Sequence, residues 1–355
     1  SGEPLYLDVT AALNEVDFHE IRVIGGRYGL SSKDTTPADM YAVFQHLARE
    51  GHNHFTVGIT DDVTHLSIEP ALFPMPGDPS QISVKFWGIG SDGLVGASKN
   101  TAKIIGDHTD KYVQAYFQYD SKKSGGLTIS HLRFGDHPIR SAYYVGDADC
   151  VVCGNPSYVD KYDMVGDVKP GGVFLLNCSW SEEDLERRLP ADMKRTLAQK
   201  GIHLYLCDAV TIAREIGLKG RINTIIQSAY FKLAGILPAE EAIEYMKQGI
   251  VNDYAAKGQK IVDMNVAAVL AGQTAAREVA VPEHWAHLEE EPRAAVGLTG
   301  ANADQADYVQ NILLPTNRME GDSLPVSTFL PYATGKVPSG TSAFEKRGIA
   351  VDVPT

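Results

Sequence analysis

The residue types best suited to binding chemistry stand in one glycine-rich stretch, where Gly88, Gly90 and Gly93 match the pattern G-x-G-x-x-G. Glycines at this spacing let the backbone approach a phosphate group, and the N-terminus of a following helix attracts its negative charge. Ser91 and Asp92 lie between the last two glycines. We interpret Gly90, Ser91, Asp92 and Gly93 as a phosphate-binding turn. A turn that needs glycine only for close packing is the alternative, and this stretch alone leaves both open.

Two positively charged side chains, Lys122 and Lys123, follow the next predicted strand. Beside a glycine turn, two ammonium groups favour a ligand with several phosphates, such as coenzyme A or NADP. Asp120, at the end of the same strand, is instead placed to hold the ribose 2′-OH of NAD. A solvated lysine pair in a loop is the alternative to both interpretations.

Arg221 and Asn223 stand at the start of a further predicted helix. Side chains of these types at a helix start can bind phosphate and amide groups. The alternative is structural, because asparagine commonly caps a helix and arginine commonly pairs with a carboxylate. Both residues are candidates for the same ligand site as the glycine turn.

No metal site or catalytic constellation is predicted. The run Cys150-Val151-Val152-Cys153 is a lone C-x-x-C inside an apolar stretch, which favours two buried thiols in a strand over a metal or redox site. The loop and strand histidines lack ligand spacing, and we interpret them as surface or hydrogen-bonded structural residues. They are His52, His54, His65, His131 and His137. The chain contains no G-x-S-x-G, H-E-x-x-H or Walker A motif.

Alternating strands and helices must position these candidates. Strands are predicted at 82–87, 112–118, 127–133, 149–153, 172–177 and 202–206. Helices are predicted at 93–106, 158–165, 182–199 and 209–217, and residues 220–279 are predicted to be helical throughout. Such alternation predicts a mostly parallel, Rossmann-like sheet with helices on both faces, and ligands of such sheets bind beyond the carboxyl ends of the strands. The glycine turn and the loops after the neighbouring strands should therefore line one crevice.

Shorter segments flank this α/β region. Residues 1–69 form a small αβαβ segment, with a strand at Ile21–Ile24 and a helix that begins with Thr36 as N-cap, Pro37 and Asp39. Residues 70–81 are rich in proline and form a linker. The α/β domain occupies 82–296, and 297–355 form an extended arm. The head and the arm are expected to leave apolar patches, which favours self-association.

The composition limits the classes of partner. The chain has 355 residues and a formal net charge of -13, whereas nucleic acids and anionic membranes require basic surfaces. There is no apolar run of about 18 residues and no signal peptide pattern. Four cysteines do not form a disulfide framework. We therefore expect a cytoplasmic protein without a nucleic acid or membrane partner.

Six stretches in this order resemble the pyruvate:ferredoxin (flavodoxin) oxidoreductase family. They are 25–33 (GGRYGLSSK), 54–65 (HFTVGITDDVTH), 88–100 (GIGSDGLVGASKN), 119–126 (YDSKKSGG), 221–223 (RIN) and 344–350 (FEKRGIA). The resemblance covers essentially the whole chain, but as an interior piece of a longer enzyme. It implies that 1–69 end the transketolase-like second domain, that 82–296 are the gamma-type third domain, and that 297–355 lead toward a ferredoxin-like domain.

The resemblance also implies an activity for the parent enzyme. Pyruvate, coenzyme A and an oxidised acceptor become acetyl-CoA, CO2 and the reduced acceptor, ferredoxin or flavodoxin, with thiamine diphosphate, Mg2+ and [4Fe–4S] clusters held outside this chain. The piece alone is expected to be inactive, docked to other domains of a homodimeric parent. Its coenzyme A site would comprise Gly90, Ser91, Asp92, Gly93, Lys122, Lys123, Arg221 and Asn223. Leu94 stands where the family's turn would have threonine, which removes a hydroxyl donor but leaves the backbone amides. A purely structural interdomain module and an NAD(P)-binding domain remain alternatives.

Overall fold

The computed structural model describes residues 3–30, 33–59, 63–69, 78–120, 126–289 and 298–344. The chain divides into two compact units, one formed by residues 1–76 and 294–355 and the other by residues 77–293. None of the described helices is both long enough and apolar enough to cross a bilayer.

The N-terminal part of the first unit contains two helices and a small parallel sheet. Its elements are α1 (Pro4–Glu15), β1 (Gly26–Arg27), α2 (Pro37–Ala48), β2 (Phe55–Val57) and β3 (Ser67–Ile68), with strand order β1-β2-β3. The predicted start of α2 is confirmed, because Thr36 and Asp39 form a reciprocal capping box and Pro37 occupies the first helical turn.

One prediction for this segment is wrong, and the exposure of its second helix was not anticipated. The first strand lies at Gly26–Arg27 rather than at 21–24. Glycine is needed where this strand pairs with β2, because a Cβ at Gly26 would lie 2.2 Å from Cζ of Phe55. The apolar stripe of α2 is largely exposed, with Phe44 69% and Leu47 46% exposed, and the helix buries Ala42 instead. Together with α1, which buries no residue, this leaves the apolar patches expected for the head.

The second unit is built on one seven-stranded sheet. Its strands are β4 (Ile82–Ile89), β5 (Tyr112–Tyr119), β6 (Leu127–Gly135), β7 (Ala148–Cys153), β8 (Val168–Asn177), β9 (His203–Cys207) and β10 (Ala276–Val279), in the order β10-β9-β8-β7-β4-β6-β5. Pairing is parallel from β9 through β8 and β7 to β4, whereas β6 is antiparallel to both its neighbours and β10 is antiparallel to β9. Five strands therefore run in one direction, which confirms the mostly parallel α/β fold.

In the described part of the second unit, seven α-helices contribute to the cores on the two faces of this sheet. They are α3 (Leu94–His108), α4 (Glu182–Arg188), α5 (Ala191–Gln199), α6 (Ala209–Ile216), α7 (Asn223–Ala234), α8 (Ala239–Tyr254) and α9 (Gln259–Ala275). Successive residues of a strand point to opposite faces, so Phe86 joins the core beneath α3 and α7, while Trp87 joins the core beneath α5. The interpretation of Cys150 and Cys153 as buried thiols in a strand is confirmed, since both are buried and lie in β7.

Three helix predictions require correction. The helix predicted at 182–199 is two helices, because Pro190 supplies no N–H and cannot continue the first of them. The helix predicted at 158–165 is absent, and a short 3-10 turn at Pro156–Tyr158 takes its place. The helical region predicted to end at 279 ends at Ala275, because residues 276–279 pair with the edge of β9.

The C-terminal part of the first unit is more helical than predicted. The arm contains α10 (Ala303–Tyr308), a π-helical stretch at Val309–Leu313 and α11 (Leu314–Asn317). Asn302 forms a capping box with Gln305 at the start of α10. Val309 and Ile312 are the buried side chains of this segment.

Replacing Gly272 by alanine should destabilise the second unit by about 1–3 kcal/mol, because α9 and α7 touch there. A Cβ at Gly272 would lie 2.6 Å from the carbonyl oxygen of Ile225 and 2.6 Å from Cβ of Ser228. Gly249→Ala in α8 is the matched control, since its nearest neighbour would be Asn100 Nδ2 at 4.0 Å. The control should gain up to about 1 kcal/mol of helix propensity. Urea denaturation that moves both variants in the same direction would contradict the close helix contact.

Candidate anion-binding site

The turns that follow the parallel strands meet beyond the carboxyl ends of these strands, as predicted. The backbone N–H of Gly90 donates to the carbonyl of Gly126 at 2.7 Å, and that of Gly154 donates to the carbonyl of Trp87 at 2.8 Å. Asn177, at the end of β8, donates from Nδ2 to the carbonyl of Gly154 at 2.9 Å. The ends of β4, β7 and β8 are therefore hydrogen-bonded to one another or to adjacent loops.

The glycine turn has an unusual backbone conformation. Ser91 has φ 89° and Gly93 has φ 86°, both in the left-handed region. Glycine adopts this region without steric cost, whereas serine adopts it only when the surroundings enforce it. The backbone between β4 and α3 is therefore held in a tight arch.

Asp92 holds this arch together. Its carboxylate accepts from the N–H of Ile89 at 2.7 Å and from the N–H of Leu94 at 2.8 Å, so it joins the end of β4 to the start of α3. Burial raises the pKa of Asp92, while the two amide hydrogen bonds act in the opposite direction. The sequence analysis placed Asp92 among the ligand contacts and missed this internal role; the only signal was an aspartate directly before a predicted helix.

Close packing accounts for two nearby glycines. A Cβ at Gly88 would lie 2.9 Å from Asp92 Oδ2 and 3.0 Å from Thr128 Oγ1, and one at Gly154 would lie 2.3 Å from Leu94 Cδ1. The packing alternative therefore explains Gly88 and Gly154. It does not explain why the N-cap residue of α3, Gly93, supplies no side-chain acceptor to the first turn.

The N-terminus of α3 offers backbone donors. Gly93 is the N-cap residue and has no side chain to accept from the first turn, and that turn contains no acidic residue. Within the part of the chain that the structure describes, the amides of Val95 and Gly96 have no acceptor. No heavy atom lies within 4 Å of a Cβ built on Gly96. Unpaired N–H groups at the positive end of a 15-residue helix can bind an anion.

Asn223 is brought to the turn by the packing of α7 on α3. It is the first residue of α7, and a Cβ on Gly93 would lie 3.0 Å from Cγ of Asn223. The N-termini of two helices therefore converge beside Gly93, although 130 residues of chain separate them. Arg221 is exposed two residues earlier, and its backbone N–H donates to the carbonyl of Leu218 at 3.1 Å.

Lys122 and Lys123 lie outside the described residues. The residues on either side of their loop, Asp120 and Gly126, lie at the same end of the sheet as the glycine turn. The N–H of Asp120 donates to the carbonyl of Leu127 at 2.9 Å, and the carbonyl of Gly126 accepts from Gly90. The predicted roles of the two lysines stay predictions.

Two further side chains support the turns: sequence reasoning missed Tyr158, and it placed the loop of Asn177 at the crevice without this role. Tyr158 donates from its hydroxyl to the carbonyl of Gly88 at 3.1 Å, and Asn177 accepts at Oδ1 from the N–H of Ala209 at 3.1 Å. An asparagine at the end of an apolar strand was the only available signal for the second. Both side chains hold strand ends in place beside the candidate site.

All four cysteines are buried, and their thiols resist ionisation. Burial raises the pKa of Cys150, Cys153 and Cys207 to about 12 and that of Cys178 to about 11, so all four thiols stay protonated at neutral pH. Metal binding requires the thiolate. In the described ranges, no three His, Cys, Asp or Glu side chains are grouped so that they could hold a metal ion.

Comparison with known proteins adds the following similarities. A family model described as pyruvate ferredoxin/flavodoxin oxidoreductase matches residues 83–275, and one described as a domain of unknown function matches residues 299–350. The chain is 52% identical over 354 residues to a pyruvate:ferredoxin oxidoreductase of Moorella thermoacetica, and 50% identical over 355 residues to a pyruvate-flavodoxin oxidoreductase of Enterobacter agglomerans. Each alignment covers 99% of this chain and 30% of the relative, so the chain spans less than a third of their length. A crystal structure of pyruvate oxidoreductase subunit PORC from Thermotoga maritima is similar with a TM-score of 0.46 and 20% identity, over 57% of this chain and 99% of that one.

Proposed function

Because the chain belongs to the pyruvate ferredoxin/flavodoxin oxidoreductase family, we propose that it is a segment of a 2-oxoacid oxidoreductase whose glycine turn binds coenzyme A. The parent reaction would convert pyruvate, coenzyme A and an oxidised acceptor into acetyl-CoA, CO2 and the reduced acceptor, ferredoxin or flavodoxin. Residues 1–69, 82–296 and 297–355 would be the end of a transketolase-like domain, a gamma-type domain and an arm toward a ferredoxin-like domain, with 70–81 as a linker. The chain would dock other domains of a homodimeric cytoplasmic enzyme.

The convergence of α3 and α7 beside Gly93 carries this proposal. Two helix N-termini place partial positive charge and backbone donors at one point, which suits the phosphates of coenzyme A. The side-chain amide of Asn223 lies beside Gly93 and would orient a phosphate or an amide of the ligand. Arg221, Lys122 and Lys123 would neutralise the remaining negative charge, including that of the 3′-phosphate.

The residues of this chain would bind and orient coenzyme A rather than carry electrons. Thiamine diphosphate with Mg2+ would supply the decarboxylation chemistry, and [4Fe–4S] clusters would supply electron transfer, in other parts of the parent enzyme. The four cysteines are buried and are given no cluster, so no electron-transfer step is assigned to this chain. The segment alone should not turn over pyruvate.

Calorimetric titration with coenzyme A and with dephospho-coenzyme A at low salt tests the proposal. We expect saturable binding with a Kd between micromolar and millimolar, roughly −8 to −4 kcal/mol, and weaker binding without the 3′-phosphate. Lys122→Glu should abolish it through charge reversal. Absence of binding by either compound at millimolar concentration would favour a structural module, and fluorescence enhancement of NADH would favour a dinucleotide site.

Gly93→Ala should weaken coenzyme A binding at least about tenfold, because the new methyl group enters the space of Asn223 and the residue resists φ 86°. Gly201→Ala is the matched control. Gly201 also has a positive φ, 59°, but no atom lies within 4 Å of its Cβ position. It precedes the amino end of β9, whereas the glycine turn follows the carboxyl end of β4. Both variants should lose about 1–2 kcal/mol of stability, measured by urea denaturation, while only Gly93→Ala changes affinity. Equal affinities would contradict a site at the turn.

A further inference from the structure

A buried amide side chain joins α7 to α3. Gln227 is only 5% exposed, and its Nε2 donates to Asn100 Oδ1 at 2.8 Å and to Thr101 Oγ1 at 3.1 Å. Both N–H groups of the amide are therefore used, on two consecutive residues of α3. Thr101 is completely buried, so the second bond lies inside the contact between the helices. Separating the helices would leave buried donors without acceptors, which is costly.

The other buried side chains of α7 constrain its position less strictly. Besides Gln227 and Ser228 they are apolar or aromatic, namely Ile225, Ile226, Ala229, Tyr230 and Phe231. Apolar contacts are non-directional, whereas hydrogen bonds between buried polar groups select one arrangement. Because α7 also begins without a side-chain cap, its first turn depends on contacts further along the helix. Among the described residues, the side-chain hydrogen bonds from α7 to α3 are those of Gln227.

Asn223 and Gln227 lie on the same side of α7, because residues four positions apart are neighbours on a helix face. Both side chains meet α3. Cγ of Asn223 would lie 3.0 Å from a Cβ on Gly93, at the start of α3, whereas Gln227 reaches the turns that follow. The hydrogen-bonded amide is therefore the fixed point of this face, and the first turn of α7 extends from it to the glycine turn.

We propose that Gln227 is a positioning residue, whose hydrogen bonds with α3 hold the first turn of α7 so that the amide of Asn223 meets Gly93. Groups that contact a ligand need supporting side chains that hold them within a fraction of an ångström. Without the bonds of Gln227, α7 shifts on its apolar contacts and Asn223 leaves its place at the turn. The role of Gln227 in ligand binding rests on the proposed coenzyme A site, whereas its role in placing Asn223 does not.

The amide N–H resonance of Gly93 in a TROSY NMR spectrum of the full chain reports the placement of Asn223 without any ligand. Gln227→Met keeps the side-chain volume and removes both donors. It should move the Gly93 resonance, as Asn223→Ala should. Asn100→Ala removes one of the two acceptors at a half-buried position and should move the same resonance by a smaller amount.

Ser228→Ala is the matched control. Ser228 is the next residue of α7 and is completely buried, and its Oγ donates to the carbonyl of Val269 at 2.6 Å. This bond joins α7 to α9 rather than to α3, so its loss removes a buried hydrogen bond on another side of the same helix. Ser228→Ala should leave the Gly93 resonance in place, and unfolding curves should show that all variants are folded.

Calorimetry with coenzyme A measures the consequence for binding. Gln227→Met should raise the Kd about fivefold, while Ser228→Ala should bind like the wild-type chain. Because Gln227 acts through Asn223, the double variant of Gln227→Met and Asn223→Ala should bind no more weakly than Asn223→Ala alone. Residues that act independently would instead multiply their effects on the Kd.

Two results would overturn the role of Gln227. One is a Gly93 resonance that stays in place in both Gln227→Met and Asn100→Ala. The other is a loss of affinity from Gln227→Met that is equally large with and without the side chain of Asn223. A wild-type chain that does not bind coenzyme A would contradict the proposed function instead, and the Gly93 resonance would then decide by itself whether Gln227 places Asn223.

Discussion

Acidification from pH 7.5 to pH 5 is expected to lower the free energy of unfolding by about 2 kcal/mol through one buried side chain, His131. This side chain is only 3% exposed and lies on β6. Burial lowers the pKa of His131 to about 3, and the nearby positive charges of Lys85 and Arg133 add to the effect. The sequence-based interpretation of His131 as a hydrogen-bonded structural residue is confirmed.

The hydrogen bonds of His131 show why the neutral ring is required. Nδ1 accepts from the N–H of Val145 at 3.1 Å. A proton on Nδ1 would remove this acceptor and place two N–H donors, those of His131 and Val145, next to each other. The ring also stacks on Tyr144 with centroids 4.8 Å apart. Because the folded pKa lies below the unfolded value near 6.5, the unfolded chain binds a proton first, and stability falls as the pH drops from about 6.5 toward 3.

Urea denaturation of His131→Gln at pH 7.5 and pH 5 measures this contribution. Glutamine does not titrate, so most of the acid-induced loss should disappear, whatever the variant's stability at pH 7.5. His203→Gln is the control, because His203 is an exposed histidine paired with Glu278 and should retain the wild-type loss. A His131→Gln protein that still loses about 2 kcal/mol would show that other groups cause the pH dependence.

Asp92→Ala should lower the free energy of unfolding by about 2–4 kcal/mol and abolish coenzyme A binding. Both oxygens of the carboxylate accept backbone amides, from Ile89 and Leu94, and alanine leaves those donors without an acceptor inside the turn. The arch that aims the start of α3 should then open. Asp92→Asn keeps one acceptor and should fall between the wild-type and alanine proteins.

Asp208→Ala separates this effect from ordinary helix capping. Asp208 is the half-buried N-cap of α6, and among the described residues its carboxylate accepts from the N–H of Thr211 alone, at 3.0 Å. Its removal should cost about 1 kcal/mol and leave coenzyme A affinity unchanged. Thermal and urea unfolding, combined with calorimetry, compare the two substitutions. Equal losses of stability would mean that Asp92 is no more than a helix cap.

Local periodicity explains what could be predicted correctly. Apolar alternation located six of the seven large-sheet strands within a few residues, and Thr36, Pro37 and Asp39 located the start of α2. These signals act through hydrogen bonds and side-chain contacts between residues close in sequence. The family followed from short motifs that keep their order along the chain.

Pairing between distant segments explains which elements could not be predicted from the sequence. β10 forms because its four residues meet the open edge of β9, some 70 positions earlier, and its own sequence carries no strand pattern. The helical pattern of 158–165 gave way to a turn that packs its apolar residues under the sheet. In each case, tertiary contacts outweighed a weak local preference.

The candidate site divides in the same way. Residue types and their close spacing were sufficient to predict the glycine turn, the polarity of the helix that follows it and the family. The packing of distant segments was needed to show that Asp92 turns inward to hold the arch, that Asn223 reaches Gly93 and that β5 lies at an edge of the sheet. Those features depend on where helices pack and on the order of strands in the sheet, which no pattern of neighbouring residues specifies.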